Sequence, residues 1–394
     1  MGAVQREGKE VTSVGVELTV NPDRLIWAIT RSGKDTESLA ESLPHIHEWL
    51  SGARRPTMAQ LRLLAQKTST PLGFFFLMEP PKNEDLPIPY YRTMVVGSPV
   101  KPSLDLMDTL KSMRLRQQWM REFLTSEGAE PIGFVGRARR DMPISAIVEI
   151  LRDALGLTVD WAAKEPNWES SLHKLVIAAE RAGILVVVNG IVGFNSHRPL
   201  DPEEFRGFAL VDNYAPLIFI NGKDSKAAQM FTIAHELAHI VLQQSAIFDL
   251  RNMQASEEPT EQLCNQVAAE FLVPSERLRK HFNVTIPLHI LARRFKVSEL
   301  VIARRALDLG LIKRDQFFEF YKAYRSRESV GRKESGGNFL STARYRIGLP
   351  FSHAIIQAVR EGTTLYSEAY HLTGLKGETF EKYAKFVANL GKDG

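Results

Sequence analysis

The chain has 394 residues, with 50 Lys plus Arg against 46 Asp plus Glu and a formal net charge of +4. That length exceeds one ordinary domain, so two or three are expected. The near-balance of charge permits nucleic-acid contact without demanding it, and the one cysteine, Cys264, excludes an intrachain disulfide.

The first 20 residues read as an irregular segment. Charge comes early in Met1-Gly2-Ala3-Val4-Gln5-Arg6 and no apolar stretch follows, which is unlike a signal peptide, and Arg6 breaks the myristoylation pattern. Residues 21–80 read as a helical domain. Asn21-Pro22 opens a helix through Leu25, Ile26, Ala28 and Ile29 that stops at Gly33, and Thr36 to Ala40 forms a short second helix. Ile46, Trp49, Gly52, Arg54 and Pro56 follow, then a helix carrying Leu61, Leu63, Leu64 and Ala65. This order, with Leu39-Ala40 and the x-Trp-x-x-Gly-x-x-x-Pro-Thr stretch, resembles the helix-turn-helix domain of the XRE (phage-repressor) family. Between Ala40 and Gly52 the chain is about one helical turn shorter than that motif. The missing turn falls where a recognition helix would read bases. Two readings stand for residues 21–80: DNA binding, with Arg31, Lys34, Arg54, Arg55, Arg62 and Lys67 available to phosphates, or a helical protein-interaction domain. His45 and His47 are two apart and do not share a helix face, so no metal is expected there. The aromatic run Phe74-Phe75-Phe76 is expected to belong to the core.

Residues 81–101 are proline-punctuated and read as an extended linker. A long helix is predicted over 102–126, then helices over 145–156 and 168–182. Ile184–Val188, Gly207–Val211 and Leu217–Ile220 are short runs rich in β-branched and aromatic residues, expected to form strands. The last of them is expected to offer an edge along which a substrate backbone can pair. Asn221, at its end, reads as a turn residue with Gly222, although orientation of a substrate is a second role for it. The longest apolar run, Ile184 to Phe194, is interrupted by Asn189 and Gly190 and is too short to cross a bilayer.

Residues 231–242 read Phe-Thr-Ile-Ala-His-Glu-Leu-Ala-His-Ile-Val-Leu. On a helix, residues four apart share a face, so His235 and His239 can reach one metal ion from adjacent turns. Glu236 sits about 100° round from His235, where a carboxylate can take a proton from a water beside the metal. The flanking residues make this helix apolar nearly all round, so it is expected to be buried. Two imidazoles and a carboxylate buried there need a partner, and a metal ion supplies one.

A catalytic zinc site takes three protein ligands and keeps one position open. The next acidic stretch, 257–274, has apolar residues at 263, 264, 267, 268, 271 and 272 and is a helix ended by Pro274. Glu261 lies 22 residues after His239, enough for a loop and an antiparallel return, which makes it the candidate third ligand. Asn265, one turn on, is placed to hydrogen-bond a ligand histidine and fix its tautomer. Cys264 is expected to be a small buried packing residue, with metal ligation or redox sensing as its other readings.

Phe231-Thr232-x-x-His-Glu-x-x-His, Glu261-x-x-Cys-Asn, Ala268-Ala269-x-Phe-Leu-x-Pro274 and the upstream strand Pro216–Asn221 together resemble the ImmA/IrrE family of metallopeptidases over about residues 170–280. The resemblance implies an α+β, mostly helical protein whose zincin-like core packs a small sheet on the histidine helix. It implies one zinc ion per chain, held by His235, His239 and Glu261, with Glu236 as catalytic base. Glu257, Glu258 and Glu270 do not align with the family's third ligand and read as solvated. It also implies a peptidase domain over 102–325 and a proline-rich Pro-x-x-Arg-Thr segment after the helix-turn-helix domain, as here.

Residues 275–325 read as helices, Ser298 being an N-cap for the one at 299–307. Residues 326–337 are charged and glycine-rich and read as a flexible joint, followed by a C-terminal helical unit at 338–394. The resemblance implies a cytoplasmic enzyme without a membrane partner that cleaves a helix-turn-helix repressor, in a stress response or on a mobile element. The rival reading is a DNA-binding regulator, or antitoxin-like partner protein, whose peptidase fold senses or scaffolds.

Overall fold

A computed structural model describes residues 16–79, 102–244, 246–248, 259–283, 285–327 and 338–390. The linker expected at 81–101, most of the irregular segment at 1–20 and most of the joint at 326–337 lie outside them. The chain groups into two compact units, one of residues 1–85 with 101–107, the other of 86–100 with 108–394.

The first unit is helical. Helix α1 (Pro22–Ser32) starts where the Asn21 side chain accepts from the Asp23 N–H and stops at Gly33, whose φ of 66° is the left-handed conformation glycine tolerates. Helix α2 (Thr36–Ala40) is capped by Asp35, and α3 (Ile46–Leu50) is equally short. Helix α4 (Met58–Lys67) carries a reciprocal capping box between Thr57 and Gln60. Leu25, Ala28, Leu39, Ile46, Trp49 and Leu61 close the core between them. The aromatic run divides: Phe75 is buried, whereas Phe76 is 49% exposed, because a 3₁₀ turn at Leu72–Phe76 sends neighbouring side chains in different directions. Arg24 is buried and donates to the carbonyls of Leu77 and Met78, tying this turn to α1.

Helix α5 (Leu104–Ser126) runs on into the second unit, followed by α6 (Ile144–Leu155) and α7 (Trp168–Arg181). Strand β1 (Leu185–Asn189) comes next, then a small hairpin of β2 (Ile191–Val192) and β3 (Asn195–Pro199). Strands β4 (Gly207–Leu210) and β5 (Leu217–Asn221) lead into α8 (Lys226–Val241), which is followed by β6 (Ala246–Phe248). The main sheet has the order β1-β5-β4-β6, with β1 parallel to β5 and β4 antiparallel to both neighbours. The expectation that the last predicted strand offers an open edge is corrected here. Strand β5 is bonded to β1 on one side and β4 on the other, so its backbone is already paired. It is buried throughout, as a central strand with both faces covered should be.

Helices α9 (Pro259–Leu272), α10 (Ser275–His281), α11 (Leu288–Phe295), α12 (Glu299–Asp308) and α13 (Arg314–Arg327) follow. The chain closes with α14 (Phe339–Ile347), α15 (Leu349–Glu361), α16 (Tyr366–Thr373) and α17 (Gly377–Leu390). The protein is therefore mostly helical with one small mixed sheet. No helix among the described residues is long and apolar enough to cross a membrane.

The C-terminal helices pack directly on the sheet. Gly348, between α14 and α15, has φ 88°, and a Cβ there would sit 3.0 Å from the Val186 carbonyl oxygen of β1. Two buried charges hold this junction. Arg116 of α5 donates to the carbonyls of Arg346 and Leu372, each at 2.8 Å, satisfying the last turns of α14 and α16. Glu180 of α7 accepts from the Leu349 N–H at the start of α15, at 3.0 Å. Burial pushes the Glu180 carboxyl up to about 7, against the Leu349 N–H and the Arg344 charge, which both favour the ionised form.

The sign of the Glu180 effect follows from linkage. Between about pH 4.5 and about pH 7 the unfolded chain ionises this group while the folded chain still holds its proton, so stability falls as pH rises through that window. Glu180→Gln keeps the acceptor oxygen for Leu349 and removes the ionisation. Urea titrations should find the variant equal to wild type near pH 4.5 and more stable by about 2 kcal/mol near pH 8.

Candidate metal centre

Helix α8 begins where Ser225 Oγ accepts from the Ala228 N–H at 3.2 Å, and Gln229 anchors its first turn by donating to the carbonyls of Gly222 and Asp224. Every residue from Gln229 to Val241 is buried. His235, Glu236 and His239 are fully enclosed, and Glu261 of α9 is 4% exposed.

The donors converge. His235 Nε2 and His239 Nε2 are 3.0 Å apart, and each lies 3.2 Å from one oxygen of the Glu261 carboxylate. One donor atom from each residue falls within 4.8 Å of the others, so the three form a group that could hold a metal ion. A tetrahedral ion with bonds of about 2.0–2.1 Å separates neighbouring donors by ~3.3 Å, close to the spacing found. The second helix also sets the tautomer. His235 Nδ1 faces Asn265 Oδ1 at 3.1 Å, and since the oxygen can only accept, the proton sits on Nδ1 and leaves the Nε2 lone pair directed at the centre.

Electrostatics point the same way. Burial pushes the His235 imidazole down to about 4, overriding the nearby Glu261 carboxylate, so the ring is neutral as a metal ligand must be. Burial also works to raise the Glu261 carboxyl, but hydrogen bonds and charge from the two histidines hold it well below the usual range. Glu236 goes the other way: burial, and then the Glu261 charge, push it well above an ordinary carboxyl. Neither Glu236 oxygen has a hydrogen-bond partner among the described residues. A buried carboxylate left unpaired beside three converged donors is a group held ready for something else to bind.

The remaining candidates separate cleanly. Cys264 is buried in α9 and is not one of the three grouped donors. Glu270 is not solvated but engaged, accepting from the Ser275 N–H and pairing with Arg305. Glu257 and Glu258 lie outside the described residues. Asn221 is a turn residue: its amide donates to the Phe205 carbonyl, and its oxygen accepts from the Lys223 N–H.

One residue at the site was not foreseen. Gly207 opens β4 against α8, and a Cβ there would lie 2.6 Å from Thr232 Cγ2, 2.8 Å from the Phe219 carbonyl and 3.4 Å from Glu236 Oε1. A glycine at the head of an apolar strand is the usual sign of such a close approach.

A buried helix presenting two histidines one turn apart, faced by a glutamate from a second helix, is a donor set that could hold a metal ion. Residues 179–307, from the end of α7 to α12, match a peptidase M78 family model described as the IrrE N-terminal-like domain, which supports a metallopeptidase family for this part of the chain. Residues 347–386 match a second model, described as a domain of unknown function (DUF8813), over α15 to α17. Comparison of the chain with curated proteins yields no match.

Gly207→Ala should strain the β4–α8 contact and lower stability by about 1–3 kcal/mol. Adding Thr232→Ser, which removes the methyl group nearest the new Cβ, should restore part of that loss. Thermal melts of the single and double variants check both expectations.

Proposed function

We propose that this chain is a zinc-dependent metallo-endopeptidase that cleaves a regulatory protein. His235, His239 and Glu261 would hold the ion, and its chemistry there is Lewis acidity together with a bound water whose pKa falls toward ~7. Nitrogen, nitrogen and carboxylate oxygen at tetrahedral spacing suit zinc and leave a coordination position open. Asn265 orients His235. Glu236 accepts the proton from the attacking water and returns it to the leaving amine.

Glu236 is the observation that carries this reading. Three donors suffice to hold a metal, whereas a second buried carboxylate beside them, with no partner among the described residues, has a use in proton transfer and none in binding. Its burial makes it too costly to be a bystander.

The likeness to repressor-type domains at residues 21–80, and the regulatory role of the family that the chain resembles, support a helix-turn-helix repressor as substrate. The same likenesses support a role in a stress response or on a mobile element. The first unit fits partner recognition better than base reading. Between residues 16 and 79 there are seven basic and seven acidic side chains. Helix α3, at the recognition position, has five residues, and its Glu48 is engaged with His45 and Arg54. An anionic duplex gains little from such a face.

Glu236→Gln should keep stoichiometric zinc by metal analysis and lose substrate cleavage by at least about a thousandfold. Full biological activity in a zinc-loaded Glu236→Gln protein would sink the proteolytic reading. Asn265→Ala retains all three donors and should weaken zinc affinity by about 10–100-fold in competition with a chelator dye.

A further inference from the structure

The sheet edge beside Glu236 is not open. Strand β4 is the antiparallel strand next to α8, and a Cβ on its first residue, Gly207, would lie 3.4 Å from Glu236 Oε1. The outer side of β4 is paired with β6 in antiparallel register: Gly207 opposite Phe248, Phe208 opposite Ile247 and Ala209 opposite Ala246. An extended peptide approaching Glu236 would need those same backbone groups.

The path of the chain puts β6 there. At the end of α8, Gln243 adopts a left-handed conformation with φ 56°, and the Gln244 N–H donates to the His239 carbonyl at 2.9 Å. That turn sends the chain straight from the histidine helix back along β4 and toward the base. Among the described residues, β6 covers Gly207, Phe208 and Ala209 of β4, the part of that strand that begins beside Glu236. The enclosure of His235, Glu236 and His239 agrees with a closed state of the site.

We propose that β6 is an internal substrate mimic: it occupies the β4 edge along which a substrate backbone lies, and it must leave for an extended peptide to enter. The inference rests on the peptidase reading for its purpose, but strand exchange is measurable without catalysis.

The test uses the full zinc-loaded chain and a fluorescein-labelled synthetic peptide with the sequence of residues 243–251. Binding is measured in the Glu236→Gln background, with β6 intact or weakened by Ile247→Pro, which removes a backbone N–H. A second variant combines Ala246→Gly, Ile247→Ser and Phe248→Gly. Both weakened proteins should bind the peptide at least about tenfold more tightly than the parent, and binding should slow amide exchange along β4. With Glu236 restored, they should hydrolyse an unrelated extended peptide at least about tenfold faster than wild type. Unchanged peptide affinity in a variant that melts cooperatively would overturn the proposal. Should both variants fail to fold, exchange in the wild-type protein decides: β6 amides opening well before those of β5 support it, and equal protection of the two strands overturns it. Tighter peptide binding with no hydrolysis by any Glu236-containing form would leave the strand mimic standing and remove the peptidase reading instead.

Discussion

Helix α8 is buried along thirteen consecutive residues, and five of them are polar: Gln229 and Thr232 near its start, and the titratable His235, Glu236 and His239. An apolar interior penalises each unsatisfied imidazole and carboxylate by amounts that compete with the whole stability of a domain. The helix is therefore tenable only if its polar groups are answered by something close. Glu261 and Asn265 answer the histidines from α9, and this requirement sets where α9 must lie. Glu236 is left over, and the geometry around it, including the missing side chain at Gly207, keeps space beside its carboxylate. Most of the second unit can be read as the scaffold that makes this one polar cluster affordable.

The sheet shows how that scaffold is closed. Exposed strand edges are a liability, and the outer sides of β1 and β4 both have cover. On the β1 side, α14 and α15 approach so closely that only glycine fits at position 348. On the β4 side the cover is β6, a strand of three residues joined directly to α8. The two covers differ in kind. The first is reinforced by hydrogen bonds at helix ends, from the buried Arg116 to the last turns of α14 and α16 and from the first N–H of α15 to Glu180. The second is a run of antiparallel backbone pairs along β4, the strand whose Gly207 lies against Glu236.

Different parts of this arrangement were legible in the chain to different degrees. Helix ends were readable wherever a cap and a stop fell within a few residues, as at Asn21 and Gly33 or at Ser298. The pairing of His235 with His239 was readable because helical periodicity relates them across one turn. Glu261 and Asn265 came from a loop length and from a family likeness, and the structure brings both against the histidines. Strand β6 escaped notice because three residues carry no period of their own. Helices α14 and α17, at 339–347 and 377–390, fall within the helical unit expected at 338–394.

What the sequence determined by itself is the donor chemistry: two imidazoles and a carboxylate on one helix, and a second acidic helix to meet them. These follow from neighbours within a turn or two, where covalent spacing leaves little freedom. Tertiary structure alone decided that β5 lies inside the sheet, that β4 borders the site, that Gly207 must be bare and that β6 lies on the β4 edge. Strand order and edge cover depend on which distant segments compete for the same backbone groups, and that competition is settled only when the whole chain has packed.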